Sequence, residues 1–294
     1  MTAASPSATP ASRPAHRPLA RSIERWALPV FTVLAIGYLL IPIFIMIVFS
    51  FNKPAGKFNF LWNQFSFDAW LHPFDWPGLP NAITTTLAVA TLSTIVATIL
   101  GTLIGLSLTR YRYTGRGLIN GLIFLPMATP EIVMGSSLLT LFVSSALPGG
   151  PLNGVLPKGL VFPLGFNTIV IAHVMFNISY VVVTVKARLA GFDRRLEEAA
   201  MDLGANELVT FWKITFPLIF PGIMAAALLA FSLSIDDFVI TNFVSGTSNT
   251  FPIWTWSIIK NALPPQINVV GSIIFLSAVA IVLITTLRTG RAPR

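Results

Sequence analysis

The 294-residue chain is 54% hydrophobic and only 10% charged, and its mean hydropathy is +0.76. This composition excludes an ordinary soluble domain and indicates a protein that crosses the membrane several times. The absence of cysteine excludes disulfides, thiolate metal sites and cysteine nucleophiles. The net charge of +8 requires no nucleic-acid partner, because the placement of the basic residues accounts for it.

Six apolar runs predict an all-α polytopic membrane protein with six transmembrane helices. Each run is long enough to cross a hydrocarbon core of about 30 Å at about 1.5 Å per residue. The runs lie at about 27–49, 82–108, 118–146, 167–186, 218–240 and 267–287. Gly101 and Gly105 in the second run form a small-x-x-x-small pair, which predicts close helix packing. We expect a disordered cytoplasmic tail at 1–25, a transmembrane domain at 26–290 and a cytoplasmic tail at 291–294.

The lysines and arginines are shared unevenly between the two sides of the membrane. Fifteen of the 19 lie in the segments on the side of the N-terminal tail. The other four are Lys53, Lys57, Lys158 and Lys260. The positive-inside rule therefore predicts that both termini are cytoplasmic.

The longest loop on the predicted cytoplasmic side, residues 193–217, has a helical pattern of its own. Asp193 can cap a first helix, and Gly204 can end it because glycine tolerates a positive φ. Asn206 can cap a second short helix, and Pro217 marks the entry into the fifth span. A linker lying in the lipid headgroup region has the same pattern, so the helical signals alone leave its role open.

The residue spacing in this loop resembles the Glu-Ala-Ala signature of permease subunits in ATP-binding-cassette importers. The signature reads Glu-Ala-Ala, three residues, Gly, nine residues, Ile, one residue and Leu-Pro. The matching positions are Glu198, Ala199, Ala200, Gly204, Ile214 and Pro217. Phe216 stands where the family usually has Leu. The resemblance implies the MetI-like fold of type I importers, in the inner membrane of a bacterium.

The resemblance also implies partners. In that family the loop docks on a dimer of cytoplasmic ATP-binding subunits, beside a second permease subunit and an extracytoplasmic substrate-binding protein. The chain contains no G-x-x-x-x-G-K-[ST] phosphate loop, so ATP hydrolysis is expected in the partner and no cofactor in this chain. A membrane-embedded enzyme should show clustered catalytic residues, and the sequence shows none. An ion-coupled carrier commonly shows inverted repeats and paired broken helices, and it would not need the Glu-Ala-Ala signature.

Two adjacent aspartates, Asp236 and Asp237, lie in the predicted fifth span within "SLSIDDFVITNFVSG". Counting about 1.5 Å per residue from Leu218 places Asp236 roughly 27 Å along the helix, near its outer end. Neighbours on a helix point about 100° apart, so at most one of the two can face a shared pathway. The other is expected to bond to a neighbouring helix or loop. The pair is either a cation site on a translocation route or a set of polar residues at the membrane interface.

The same stretch resembles permeases of spermidine and putrescine importers. The shared positions are Ser234, Asp236, Asp237, Phe238, Phe243, Val244 and Gly246. Carboxylates and aromatic rings suit polyamine cations through charge and cation–π attraction. The resemblance therefore implies a polyamine permease with Asp236, Asp237 and Phe238 on the substrate path. The residues at 247–249 are Thr-Ser-Asn in place of the usual Pro-Gly-rich continuation. Another small solute, such as an organic cation, ferric iron or an opine, thus stays an alternative, as does an ion-coupled secondary transporter.

Two more ionisable residues fall inside predicted spans. Glu131 follows Pro126 and Pro130, which predict a kink in the third span, and we read it as a buried acid. It either binds a cation on the substrate path or holds two helices together. His173 lies near Asn177 in the fourth span, where an interhelical hydrogen bond is expected.

Overall fold

The structure is a computed structural model that describes residues 18–146 and 162–289. It divides into two compact units, one formed by the described residues up to Pro73 together with those from Pro264, and the other by Phe74–Leu263. Residues 1–17 and 291–294 of the predicted tails lie outside the described residues. The first helix begins at Pro18, inside the stretch predicted as a tail, and proline is favoured in a first helical turn.

Helices make up most of the described chain. They are α1 (Pro18–Phe49), α2 (Asp68–Leu71), α3 (Leu79–Arg110), α4 (Arg116–Ala128), α5 (Glu131–Ala146), α6 (Phe166–Ala190), α7 (Arg195–Asp202), α8 (Glu207–Thr210), a π-helical turn (Phe211–Thr215), α9 (Phe216–Asp236), α10 (Val239–Val244), α11 (Phe251–Ile258) and α12 (Pro265–Thr289). Two short antiparallel strands, β1 (Asn52–Lys53) and β2 (Gln64–Phe65), pair between α1 and α2. The predicted all-α class is confirmed.

Four helices in the described ranges are long and apolar enough to cross a membrane. They are Trp26–Phe49, Leu79–Arg110, Phe166–Ala190 and the continuous run Glu207–Asp236. The pair α4 and α5 is a fifth, broken candidate. The apolar part of α12, Pro265–Ala280, is shorter than a full span. Four helices and one broken pair thus have the length and composition that crossing a membrane requires, and the sixth span stays a prediction.

The second unit is built on the close packing of α3, α6 and α9. One core cluster joins Leu106 of α3 to apolar residues of α6 and α9, including Val185 and Ile223. Gly101 lets α3 approach α6, because a Cβ at this position would lie only 2.6 Å from Val181 Cγ1. At Gly105 the same atom would lie 3.3 Å from Val185 Cγ1. The predicted glycine contact is confirmed.

Replacing these glycines tests the packing. Gly101→Ala is expected to destabilise the fold by about 1–3 kcal/mol, because Val181 must move. Gly105→Ala should cost less, since its contact is longer. The matched control is Gly121→Ala in α4, where an added Cβ meets nothing within 4 Å and helix propensity favours alanine by about 1 kcal/mol. Thermal unfolding in detergent measures all three variants, and equal shifts would contradict the packing argument.

The third predicted span is broken between α4 and α5, whose axes differ by 107°. Thr129 has extended backbone angles (φ −81°, ψ 131°), as expected for a residue before proline. Pro130 follows, whereas Pro126 lies inside α4 without ending it. The predicted kink is thus confirmed, and it is located at the second proline. Beyond the break, α5 packs on α6 and α10.

Candidate functional site

The segment 193–217 begins with a helix whose two ends are both capped. The Asp193 carboxylate accepts a hydrogen bond from the backbone N–H of Arg195 (3.0 Å). At the other end Gly204 has φ +88°, and the N–H of Ala205 donates to the Ala200 carbonyl (3.0 Å). These contacts form a Schellman motif, which needs a residue that tolerates the left-handed region. The predicted first helix and its glycine stop are confirmed.

The second half of the segment differs from the prediction of a separate short helix. The Asn206 side chain caps α8 by accepting from the N–H of Val209 (2.8 Å), as expected. The helix then continues through the π-helical turn into α9, so that Glu207–Asp236 is one run of 30 residues. Pro217 and Pro221 both lie inside this run without ending it, and the π-helical turn comes just before Pro217.

The residues of the Glu-Ala-Ala signature lie largely on the surface. Glu198, Ala199, Gly204 and Pro217 are exposed, and Ala200 and Ile214 are partly buried. Leu203, beside the glycine turn, is 89% exposed in a segment that carries five carboxylates within ten residues of it. The exposed Leu203, one helical turn after the exposed Ala199, offers a small apolar surface with little side-chain bulk. Such a surface suits insertion into a groove of another protein.

The two aspartates at the end of α9 occupy different environments. Asp236 is the last residue of the helix and is exposed. Asp237 has extended backbone angles and is followed by α10, so the helix ends four residues before the predicted boundary at 240. The Asp237 side chain is only 6% exposed. Its carboxylate accepts from the Thr241 N–H (2.8 Å) and hydroxyl (2.6 Å), which stabilises the break.

A buried histidine extends this hydrogen-bonded group into the helix bundle. His173 Nε2 lies 2.8 Å from Thr241 Oγ1 and 3.3 Å from Asp237 Oδ2. Its Nδ1 lies 2.5 Å from Ser234 Oγ, which in turn lies 3.1 Å from Ser93 Oγ. Because the Thr241 hydroxyl donates to the carboxylate, its oxygen accepts from His173, and this assigns the proton to Nε2. The expected interhelical hydrogen bond of His173 is confirmed.

The other residues predicted on a substrate path lie apart from this group. The Phe238 ring lies 5.4 Å from the ring of Trp256, and Lys260 Nζ lies 5.8 Å from the same Trp256 ring. Glu131 is the first residue of α5 and is exposed, so its interpretation as a buried acid is wrong. The break before Pro130 places it at a helix start, where a carboxylate is stabilised by the helix dipole.

Comparison with known proteins identifies the family. The sequence model described as "Binding-protein-dependent transport system inner membrane component" matches residues 97–289, more than half of the chain. The chain belongs to this family. It is accordingly a permease of the inner membrane, and the resemblance found in the sequence is confirmed.

Two relatives of the permease have names that specify a substrate. The spermidine/putrescine transport system permease protein PotC of Haemophilus influenzae is 36% identical over 254 residues, covering 86% of this chain and 92% of the relative. The putrescine transport system permease protein PotI of Escherichia coli is 36% identical over 256 residues, covering 86% of each chain. Both relatives are thus similar along most of their length.

Solved structures confirm the fold of the permease. A bacterial ABC transporter for the acidic polysaccharide alginate aligns with a TM-score of 0.69 at 18% identity, covering 95% of this chain and 100% of that chain. The methionine ABC transporter MetNI aligns with a TM-score of 0.53 at 15% identity, covering 74% and 96%. The chain therefore has the MetI-like fold of ABC importer permeases.

One group of residues in the permease was missed by sequence reasoning. Glu197, next to the signature glutamate, accepts hydrogen bonds from Arg110 at the end of α3 and from Thr215 before α9. In the sequence, Arg110 is one of several basic residues near a helix end, and 87 positions separate it from Glu197. The opposite charges of Arg110 and Glu197 are the signal that the sequence offers, but no local spacing indicates that these two residues contact each other.

Proposed function

We propose that the permease is one of two transmembrane subunits of a polyamine importer and conducts spermidine or putrescine across the inner membrane. The 36% identity to PotC and PotI over most of the chain supports this substrate class. The observation that carries the proposal is the exposed carboxylate of Asp236 at the end of the long helix Glu207–Asp236. No bond in the substrate is made or broken.

The energy source in this proposal is a separate pair of ATP-binding subunits. The exposed surface of 193–217, with Glu198, Ala199, Ala200 and Gly204, docks on one of them in the cytoplasm. An extracytoplasmic binding protein delivers the substrate to the opposite face. Both termini are then cytoplasmic, and residues 26–290 form the transmembrane domain together with a second permease subunit.

Asp236 is better placed than Asp237 to attract a cation. Asp236 is exposed, and no lysine or arginine among the described residues forms an ion pair with it. It sits at a helix C-terminus, whose carbonyl groups carry partial negative charge. Asp237 is occupied by His173 and Thr241. The neighbouring ring of Phe238 adds a surface for cation–π attraction to an ammonium group.

Uptake of labelled spermidine and putrescine by vesicles that contain the assembled transporter tests the proposal. Asp236→Asn is expected to lower uptake about tenfold, because it removes one charge-assisted contact to the substrate. Asp75→Asn is the matched control, since Asp75 is an exposed aspartate before α3 and is not assigned to the path. Its uptake should stay within about twofold of the parent.

Two results would overturn the proposal. Uptake of a labelled organic cation, ferric iron or an opine, with no uptake of either polyamine, would reassign the substrate within the same family. Uptake that follows an ion gradient and proceeds without ATP would instead support a secondary transporter. Equal uptake by Asp236→Asn and the parent would remove Asp236 from the substrate path.

A further inference from the structure

Three helical elements meet at a single carboxylate on the exposed face of the permease. Glu197 Oε1 of α7 accepts from Arg110 Nη2 of α3 and from Thr215 Oγ1 at the end of the π-helical turn. Arg110 Nη2 also lies 3.3 Å from Thr215 Oγ1, which closes the triangle. The side chains of Arg110 and Glu197 are 26% and 14% exposed, and Thr215 is fully buried. Water therefore screens these contacts less than it screens a surface ion pair.

Apolar packing does little to hold α7 in place. None of its eight residues is buried. A cavity of about 220 Å³ lies beside it, lined on the α7 side by Glu197 and Met201 and opposite them by Arg110 and Phe211. The other polar link of the segment to α3 is the hydrogen bond from Arg194 Nη2 to the Thr109 carbonyl (3.0 Å). The position of α7 thus depends on a few charged contacts.

The helix that Thr215 links to Glu197 ends at Asp236, the candidate substrate residue. Thr215 lies near the start of the continuous helix Glu207–Asp236, and Asp236 is its last residue. At about 1.5 Å per residue, the 30 residues of this helix span about 45 Å. When α7 is fixed to the first turns of this helix, a displacement of α7 therefore also moves the end that carries Asp236.

We propose that Arg110, Glu197 and Thr215 form a joint that makes α7 move as one body with α3 and α9. The three are positioning residues: the partner binds the exposed side of α7, and the joint passes the displacement on. This inference rests on the proposed function, since it assumes an ATP-driven partner at α7. It adds that docking and transmission reside on different residues, with docking at Glu198 and Ala199 and transmission at Glu197.

The joint is tested by separating partner binding from transport. In Glu197→Gln and Arg110→Gln, the ATP-binding subunit is expected to co-purify in the parent ratio, while uptake per ATP hydrolysed falls about tenfold. Exchange of the two residues, Arg110→Glu with Glu197→Arg, should restore a substantial part of the uptake per ATP hydrolysed, which a purely structural defect would not do. Arg112→Gln is the matched control, an exposed arginine two residues beyond Arg110 and outside α3 that contributes nothing to the joint.

A distance measurement keeps this test independent of the substrate. The chain contains no cysteine, so spin labels can be placed at Asp202→Cys on α7 and Phe220→Cys on α9. With ATP-binding subunits attached, the distance between the labels should stay the same with and without nucleotide in the parent, and should change in Glu197→Gln. An equal response of parent and variant, or loss of the partner from the variant, overturns the joint. Absence of polyamine uptake by the parent overturns only the proposed substrate.

Discussion

Gly204→Glu is expected to abolish ATP-driven uptake and the stimulation of ATP hydrolysis by loaded binding protein, while the chain still folds and inserts. Gly204 is exposed, and a Cβ added to it meets nothing within 4 Å, so the substitution causes no clash inside the chain. Its φ of +88° costs an L-residue only about 1–2 kcal/mol. A glutamate side chain would instead fill the space that a partner needs beside Leu203.

Two variants separate this effect from backbone strain and from added charge. Gly204→Asn keeps a residue that tolerates the left-handed region and should retain partial uptake. Gly115→Glu adds the same side chain at another open glycine with positive φ (+90°), in the turn between α3 and α4. It should retain uptake within about twofold of the parent. Co-purification of the ATP-binding subunit gives the direct readout, and normal binding and uptake by Gly204→Glu would refute the docking surface.

The segment around Gly204 could be predicted because its signals act over short distances. The Asp193 side chain accepts from the N–H two positions later, and the Asn206 side chain accepts from the N–H three positions later. The glycine stop acts within a single turn. The continuity of Glu207–Asp236 could not be predicted in the same way. A proline such as Pro217 reads as a boundary in sequence, but here the helix continues through it just after a π-helical turn, and no residue pattern marks that turn.

The contacts that join distant parts of the chain show where sequence reasoning ends. The sequence predicts that one of Asp236 and Asp237 bonds to a neighbouring helix, and in the structure the buried Asp237 contacts His173 of α6. The sequence does not say which aspartate is buried, because the choice depends on His173 from another helix and on the helix break after Asp236. Glu131 shows the same limit, since its exposure depends on which of two prolines ends the helix.

Asp237→Ala is expected to lower the free energy of unfolding by about 3 kcal/mol, a larger effect than any single change at the exposed end of α9. The variant removes the acceptor for the N–H and hydroxyl of Thr241 and the partner of the buried His173. Unpaired donors in a buried site each cost about 1–3 kcal/mol, and nothing in a smaller side chain replaces the lost acceptor. Unfolding in detergent, followed by loss of helical signal, gives the measurement.

Asp236→Ala is the matched control, since it deletes the neighbouring carboxylate from an exposed position and should change stability by only about 0.5 kcal/mol. Asp237→Ala should therefore be impaired mainly in stability. Asp236→Ala should be impaired mainly in uptake by the fraction of the protein that remains folded. An Asp237→Ala protein as stable as the parent but unable to transport would show that this carboxylate contacts the substrate. In that case the hydrogen bonds to His173 and Thr241 would orient Asp237 for binding instead of holding the helix break.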